Sequence, residues 1–335
     1  MISSKNLVNT MQELSLITSI LANILLMYLV YKKSPKQIGS YKYLMIYIAV
    51  FEMCYSILDV LLEPLVLSHT SLFFVIIHTK STFFTKEICI YLISIWGAFF
   101  GSFMAFFAVQ FIYRYFVVSG SIYLKTFNDW RLVLWMTVPL TGGVFWAFLT
   151  IFCLHPDKQT DDVIRNVVLE TFDFEIKDIS YVGSYLYRTI NGREIIDWTS
   201  LTAIILMIIV MILSITTTTV FATKCFLEIK NYVKTAQNFS KKLKSLQNQL
   251  FYALVTQTLI PIILMHLPVT ILIISTVLSI DLGQTSVLVS ITIALFPALD
   301  PFPVILIVKH YRFAMMSAVS TPVVKFIRKR LDNPV

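Results

Sequence analysis

Glu52, Asp59 and Glu63 are three carboxylates inside an otherwise apolar run, and their spacing is the first chemical feature of this 335-residue chain. Steps of seven and four residues, at about 100° each, put all three on one stripe of a helix. A carboxylate facing hydrocarbon costs several kcal/mol, so this stripe must face protein or water. Asn23, Gln257 and Asp300 repeat the theme as polar residues within apolar runs. Asn23, Glu52, Gln257 and Asp300 all lie about 10 to 14 Å along a helix from one boundary of their runs. They are expected to form one buried polar layer. Two carboxyls in so dry a layer cannot both stay ionised unaided, so one keeps its proton or a cation or water lies between them. Such a layer either switches between two arrangements or locks helix packing, and both readings stand.

Asp59 and Glu63 lie further along, roughly 24 and 30 Å from the same boundary, and Glu63-Pro64 ends the helix. Asp59 is a pocket candidate. Trp96, Phe99, Phe100, Phe103 and Phe107 follow three-and-four spacing, and within that row Trp96, Phe100 and Phe103 are candidates to line an apolar cavity. The plainer reading is aromatics packed against lipid or neighbouring helices. His266 is the histidine inside an apolar run, either a ligand contact or a hydrogen-bonded packing residue. Prolines at 139, 261, 268, 297, 301 and 303 interrupt helical hydrogen bonding, and Pro261 and Pro301 are the candidate hinges.

Holding these groups in place requires seven helices, each long enough to cross about 30 Å of hydrocarbon. The spans are placed at 14–31, 43–66, 88–113, 132–153, 198–223, 250–278 and 284–308, in a single domain over 1–335. The first run lacks a basic leader and a small-residue cleavage site and is expected to be a retained span. Composition agrees: 57% of residues are hydrophobic and only 14% charged, with mean hydropathy +0.77. So few charges exclude soluble enzymes and leave little room for nucleic-acid binding. The expected fold class is an all-α membrane protein, a seven-transmembrane helix bundle.

The net charge of +8 is explained by topology. Nineteen of the 27 Lys and Arg residues fall in the loops after spans one, three and five and in the tail, whereas the acids favour the other side. By the positive-inside rule the N-terminus is extracellular and the C-terminus cytosolic. The cytosolic loop is then 224–249, the tail 309–335 and the large extracellular loop 154–197. The Asn238-Phe239-Ser240 sequon lies on the cytosolic side and should carry no glycan. Cys89 and Cys153 sit at the outer face, either bridged or as two thiols. Tyr185 to Ile196, around Asn191-Gly192, reads as a hairpin that caps an outward pocket, or else the loop is irregular with its acids in water.

Specific strings then narrow the reading. Tyr41-Lys42-Tyr43-Leu44-Met45-Ile46-Tyr47 runs on through Phe51-Glu52 to Ser56-Ile57-Leu58-Asp59-Val60. Phe111-Ile112-Tyr113-Arg114-Tyr115-Phe116 closes span three, and Leu246-Gln247 with Gln249-Leu250-Phe251-Tyr252-Ala253-Leu254-Val255-Thr256-Gln257 to Pro261 opens span six. Phe296-Pro297-Ala298-Leu299-Asp300-Pro301 leads to Lys309-His310-Tyr311-Arg312. In combination these strings resemble the nematode serpentine receptors of the Str superfamily. The resemblance implies a seven-helix chemoreceptor in the plasma membrane of sensory-neuron cilia, which detects a small odorant or metabolite and signals through a heterotrimeric G protein. By likeness, Arg114 takes the place of the receptor Arg that ends span three, and Asp300-Pro301 that of the span-seven Asn/Asp-Pro pair. Tyr113 stands where an acidic neighbour is usual, Val304 where a tyrosine is, and span six lacks Cys-Trp-x-Pro, so rhodopsin-like activation does not transfer whole.

The mechanism expected is ligand binding in the outer half, a shift of the polar layer, and movement of span six at Pro261 to open a cytosolic cleft. Arg114, Lys241, Lys242, Lys244, His310 and Arg312 would ring that cleft and meet the G protein, although the positive-inside rule alone accounts for most of them. The rival classes are a ligand-gated seven-helix channel, whose N-terminus would lie inside, and a membrane transporter, which usually shows paired repeats absent here. Neither His-Glu-x-x-His nor Gly-x-Gly-Asp occurs, so no intramembrane protease is expected. No cofactor is implied. Asp59, Asp300 and His266 lie at different depths, and no metal site is expected from them.

Overall fold

The computed structural model describes residues 2–190, 193–235 and 241–317. In chain order its elements are α1 (Ile2–Lys33), α2 (Tyr41–Leu62), β1 (Leu65–His69), β2 (Leu72–His78), α3 (Lys86–Val118), α4 (Arg131–Cys153), α5 (Lys158–Phe172), β3 (Ile179–Tyr185), β4 (Tyr187–Ile190), β5 (Arg193–Ile196), α6 (Trp198–Thr235), α7 (Lys241–Pro261), α8 (Leu267–Val277), α9 (Leu288–Leu299) and α10 (Pro301–Ile307). Among the described residues, seven helical stretches are long and apolar enough to cross a membrane. They are α1, α2, α3, α4 and α6 as spans one to five, α7 with α8 as span six, and α9 with α10 as span seven.

Span six is not one continuous α-helix. A π-helical turn, Ile262–His266, joins α7 to α8, and prolines flank it at 261 and 268. Proline has no amide hydrogen and its ring displaces the carbonyl one turn back, so the ladder is interrupted at both ends of the turn. Spans three and four pack closely because small residues face bulky ones. A Cβ on Gly143 would lie 2.7 Å from the Ala98 carbonyl, and one on Gly101 would lie 2.9 Å from the Trp146 ring.

Two expectations need correction at one end of the bundle. Span two stops at Leu62 instead of Val66, because Glu63 adopts a left-handed conformation (φ 46°) and Pro64 follows it. The chain then makes a hairpin, β1 to β2, to which β3 adds as a third antiparallel strand. Alternation divides this sheet into two apolar faces. Val66, Val75, Ile77 and Val182 face the helix core. Leu65, Leu67, Phe74, Ile76 and Tyr181 pack instead beneath Ile164, Val168 and Phe172 of α5. The loop from 154 to 197 is thus a built lid in place of an irregular segment. Asp157 caps α5, accepting from the Thr160 amide at 2.9 Å, and buried residues at four-residue spacing turn the helix onto the sheet. The expected hairpin is present as β4 paired with β5, but it is not the cap of a pocket, since the cavity described below is roofed by β1–β3; Asn191-Gly192 at its turn lies outside the described residues.

The lid end of the bundle is opposed by a basic end, where Arg114, Lys224, Lys244, Lys309 and Arg312 gather. Asn238 and the tail beyond Ser317 lie outside the described residues. Cys89 and Cys153 are free thiols and not a bridge. The Cys89 sulfur is buried against Thr82 Oγ1 at 3.8 Å and the Phe84 carbonyl at 4.0 Å, committed to its own helix start.

Candidate functional site

An apolar cavity of about 80 Å³ lies directly beneath the sheet. Val66, Phe73, Val75, Val182 and Gly183 form its roof, Trp96 and Phe100 of span three one wall, and Trp146 and Thr150 of span four the next. Met207, Ile208 and Met211 of span five, Val269 and Ile273 of span six and Ile293 of span seven complete it. Few atoms in this lining can donate or accept a hydrogen bond. The cavity therefore suits an uncharged molecule of a few heavy atoms and penalises an ion.

The four residues singled out for a pocket have different roles. Trp96 and Phe100 line the cavity. Asp59 does not reach it; the carboxylate lies behind the wall and accepts from Trp96 Nε1 at 2.8 Å, which fixes the indole. Phe103 is fully buried one turn below, edge-on to Phe296 at 4.6 Å, and is a packing residue. His266 also sits outside the lining, stacked on Phe100 with ring centroids 4.7 Å apart. Its Nδ1 donates to the Pro261 carbonyl at 3.2 Å, which bridges the π turn, and its Nε2 is buried with no partner in the protein. One side chain thus touches both the cavity wall and the helix break. The prolines pointed to a bend, but nothing in the sequence placed Phe100 against His266.

Deeper in the bundle, Asn23, Glu52, Gln257 and Asp300 come together, each at most 3% exposed. Gln257 Nε2 donates to Asp300 Oδ2 at 2.6 Å and to the Asp300 carbonyl at 3.1 Å. Asn23 Nδ2 donates to the Pro297 carbonyl at 3.3 Å, and the Glu52 carboxyl faces those of Asp300 and the Asn23 amide. Ser56 extends the layer by donating to Ser19 Oγ at 2.9 Å. Asp300 keeps helical backbone angles (φ −59°, ψ −36°) between α9 and α10, which begins at Pro301.

At the basic end the cleft expected around Arg114 is closed. Arg114 is 1% exposed, with its guanidinium 3.6 Å from the centre of the Tyr41 ring and Nη1 donating to Gln247 Oε1 at 3.1 Å. Tyr41 is held in turn by Gln110 Oε1 at 2.8 Å and stacks on Tyr113. A buried cation over an aromatic face gains about 2 kcal/mol, and a hydrogen bond to a charged group about 1.5 to 3 kcal/mol. Arg114 is therefore a covered junction of spans two, three and six and not part of an exposed ring. Arg312 folds back onto the Leu306 carbonyl at 3.1 Å, His310 is exposed, and the side chains of Lys241 and Lys242 lie outside the described ones.

The lid is fastened by charge. Arg188 reaches Asp157 at 2.6 Å and Asp197 at 2.7 Å, tying β4 to the start of α5 and to the residue before span five. Burial pushes the Asp157 carboxyl up, but the Thr160 amide and Arg188 outweigh it and hold the group below its ordinary range.

Comparison with known proteins agrees with this architecture. The profile of the serpentine type 7TM GPCR chemoreceptor Str family matches residues 8–316. The G-protein coupled receptor str-217 of Caenorhabditis elegans is 36% identical over 310 residues, 92% of this chain and 89% of that protein. Serpentine receptor class r-10 of the same organism is 31% identical over 311 residues, 91% of this chain and 89% of its own. The fold is similar to squid rhodopsin, with TM-score 0.64 and 13% identity over 96% of this chain and 86% of that one. Family match, relatives and helix bundle converge: the chain belongs to the Str family of serpentine seven-transmembrane G-protein-coupled chemoreceptors and is a multi-pass membrane receptor, not an enzyme.

Proposed function

We propose that this receptor detects a small, uncharged, largely apolar environmental molecule in the cavity beneath the lid and passes the signal to a heterotrimeric G protein at the basic end. The lid end faces outward in this reading and the basic end the cytosol, as the positive-inside rule requires, in the plasma membrane of a chemosensory cell. The observation that carries the proposal is the chain of contact from Phe100, on the cavity wall, to His266 and from His266 to the Pro261 carbonyl. A ligand pressing on Phe100 changes the seat of the imidazole, and the imidazole bears on the one break in span six.

Below that break, α7 carries Gln257 and Gln247, which hold Asp300 and Arg114. Tilting α7 at the π turn loosens both amides together, opens the basic end and exposes Arg114. A ligand drives this change only by the difference in its affinity for the two arrangements.

The test is expression in a heterologous cell, with a panel of volatile and water-soluble metabolites screened for second-messenger responses and every hit repeated with G-protein signalling blocked. Responses restricted to small neutral compounds and abolished by the block are expected. Ionic currents that survive the block would instead identify a ligand-gated channel.

A further inference from the structure

The roof of the cavity is sealed on its outer side. The β1–β3 sheet lies over the cavity and α5 lies over the sheet, so two apolar layers separate the cavity from the aqueous side of the lid. The two edge strands, β1 and β3, are also fastened to helix ends. The Val66 amide donates to Ser290 of span seven at 2.9 Å, and Ser68 is 3.2 Å from Ser275 of span six. Ser180 donates to the Lys86 carbonyl of span three at 2.9 Å, and the Gly183 amide to the Leu154 carbonyl after span four at 3.0 Å. Opening the lid would break these bonds and part an apolar interface.

The side wall differs. Span five packs along α7, the half of span six below the π turn, but does not pack closely along α8, the half above it. The cavity lies at that parted level. Ile208 and Ile273 line it and are half-exposed, each between buried lining residues and the lipid-facing Ile205, Ile209, Ile271 and Ile274. On both helices the cavity face therefore runs into the lipid face without a polar residue between.

We propose that ligands reach the cavity from the bilayer, through the seam between span five and the lid-end half of span six, so that the receptor samples neutral molecules dissolved in the membrane. This rests on the reading of the cavity as the ligand site, and it narrows the ligand class to compounds that partition into lipid. A charged or strongly polar compound would lose its water on entering the bilayer and find too few polar groups in the cavity to replace it.

Access is testable without signalling. The full chain carrying Val269→Cys is placed in phosphatidylcholine nanodiscs and treated with methyl methanethiosulfonate, a small neutral thiol reagent, or with its trimethylammonium-ethyl analogue, and labelling at that residue is followed by mass spectrometry. A Ser68→Cys/Ser275→Cys pair added to the same chain ties β1 to span six when oxidised and releases it when reduced. The neutral reagent is expected to label at the same rate with the tie closed or open. Ile208→Trp, or independently Ile273→Trp, should slow it by about tenfold, and the cation should lag by more than that because of its desolvation cost. Slowing by the closed tie, unchanged labelling in both tryptophan variants, or equal labelling by the cation would overturn the proposal. A receptor that labels as expected yet evokes no G-protein response would contradict the functional reading and leave the access route intact.

Discussion

Asp59 illustrates how a buried carboxylate serves a cavity it never touches, by holding Trp96 at 2.8 Å in the wall. Asp59→Ala leaves the indole N–H unpaired, at a cost of about 1 to 3 kcal/mol. Ligand potency should fall roughly tenfold or more, the 1.4 kcal/mol equivalent, while Asp59→Asn keeps an acceptor and most of the response; dose–response curves normalised to surface expression decide. Arg114→Gln should abolish signalling and leave surface expression intact, and retained responses would remove Arg114 from the mechanism. The sequence exposed the polar layer because depth along a helix follows from counting residues, and Asn23, Glu52, Gln257 and Asp300 stand alone in apolar runs. It did not expose why Arg114 is covered. Tyr41 and Gln247 reach it only through the packing of three helices, and neither carries a charge that would name it as a partner.

Among the elements, α7 is the most constrained moving part. Gln247, Gln249 and Gln257 bind Arg114, the Lys309 amide and Asp300, so three amides strap one helix to its neighbours. Gln247→Ala removes one strap to a cation, about 1.5 to 3 kcal/mol, and should raise basal G-protein activity without ligand; unchanged basal output would show that the strap does not restrain α7. The lid should respond to acid. The Asp157 carboxyl is depressed in the folded protein, so its stabilisation of α5 is complete above the ordinary aspartate range, about 3.9, and is lost as pH falls through the folded value. Amide exchange in α5, corrected for intrinsic rates, should quicken below about pH 4, and Asp157→Asn should remove that dependence. All seven spans were legible as predominantly apolar runs, and the break in span six was signalled by Pro261. The sheet was not, because both its faces are buried and its strands therefore lack the apolar–polar alternation that marks a half-buried strand. In α5, Asp157 followed by Ile164, Val168 and Phe172 was the missed signal.

For the whole molecule, the features form two linked ends: a capped apolar cavity held by aromatic residues, and a closed basic end held by amides and one covered arginine. The π turn between Pro261 and Leu267 lies between them, touched from the cavity side by His266 and from below by α7. Bundle and charge asymmetry were readable from hydropathy and from the placement of Lys and Arg, because both are properties of long segments. The linkage was not, because it depends on which rotamer a single imidazole adopts against Phe100. Coupling through this turn is the central claim. The most direct test places spin labels at Ser245 of α7 and Lys42 of span two and measures their separation by pulsed electron resonance, in nanodiscs, with and without a compound that evokes a response. The distance is expected to lengthen with compound, and His266→Ala to prevent the change. An unchanged distance while the compound still signals would contradict this coupling.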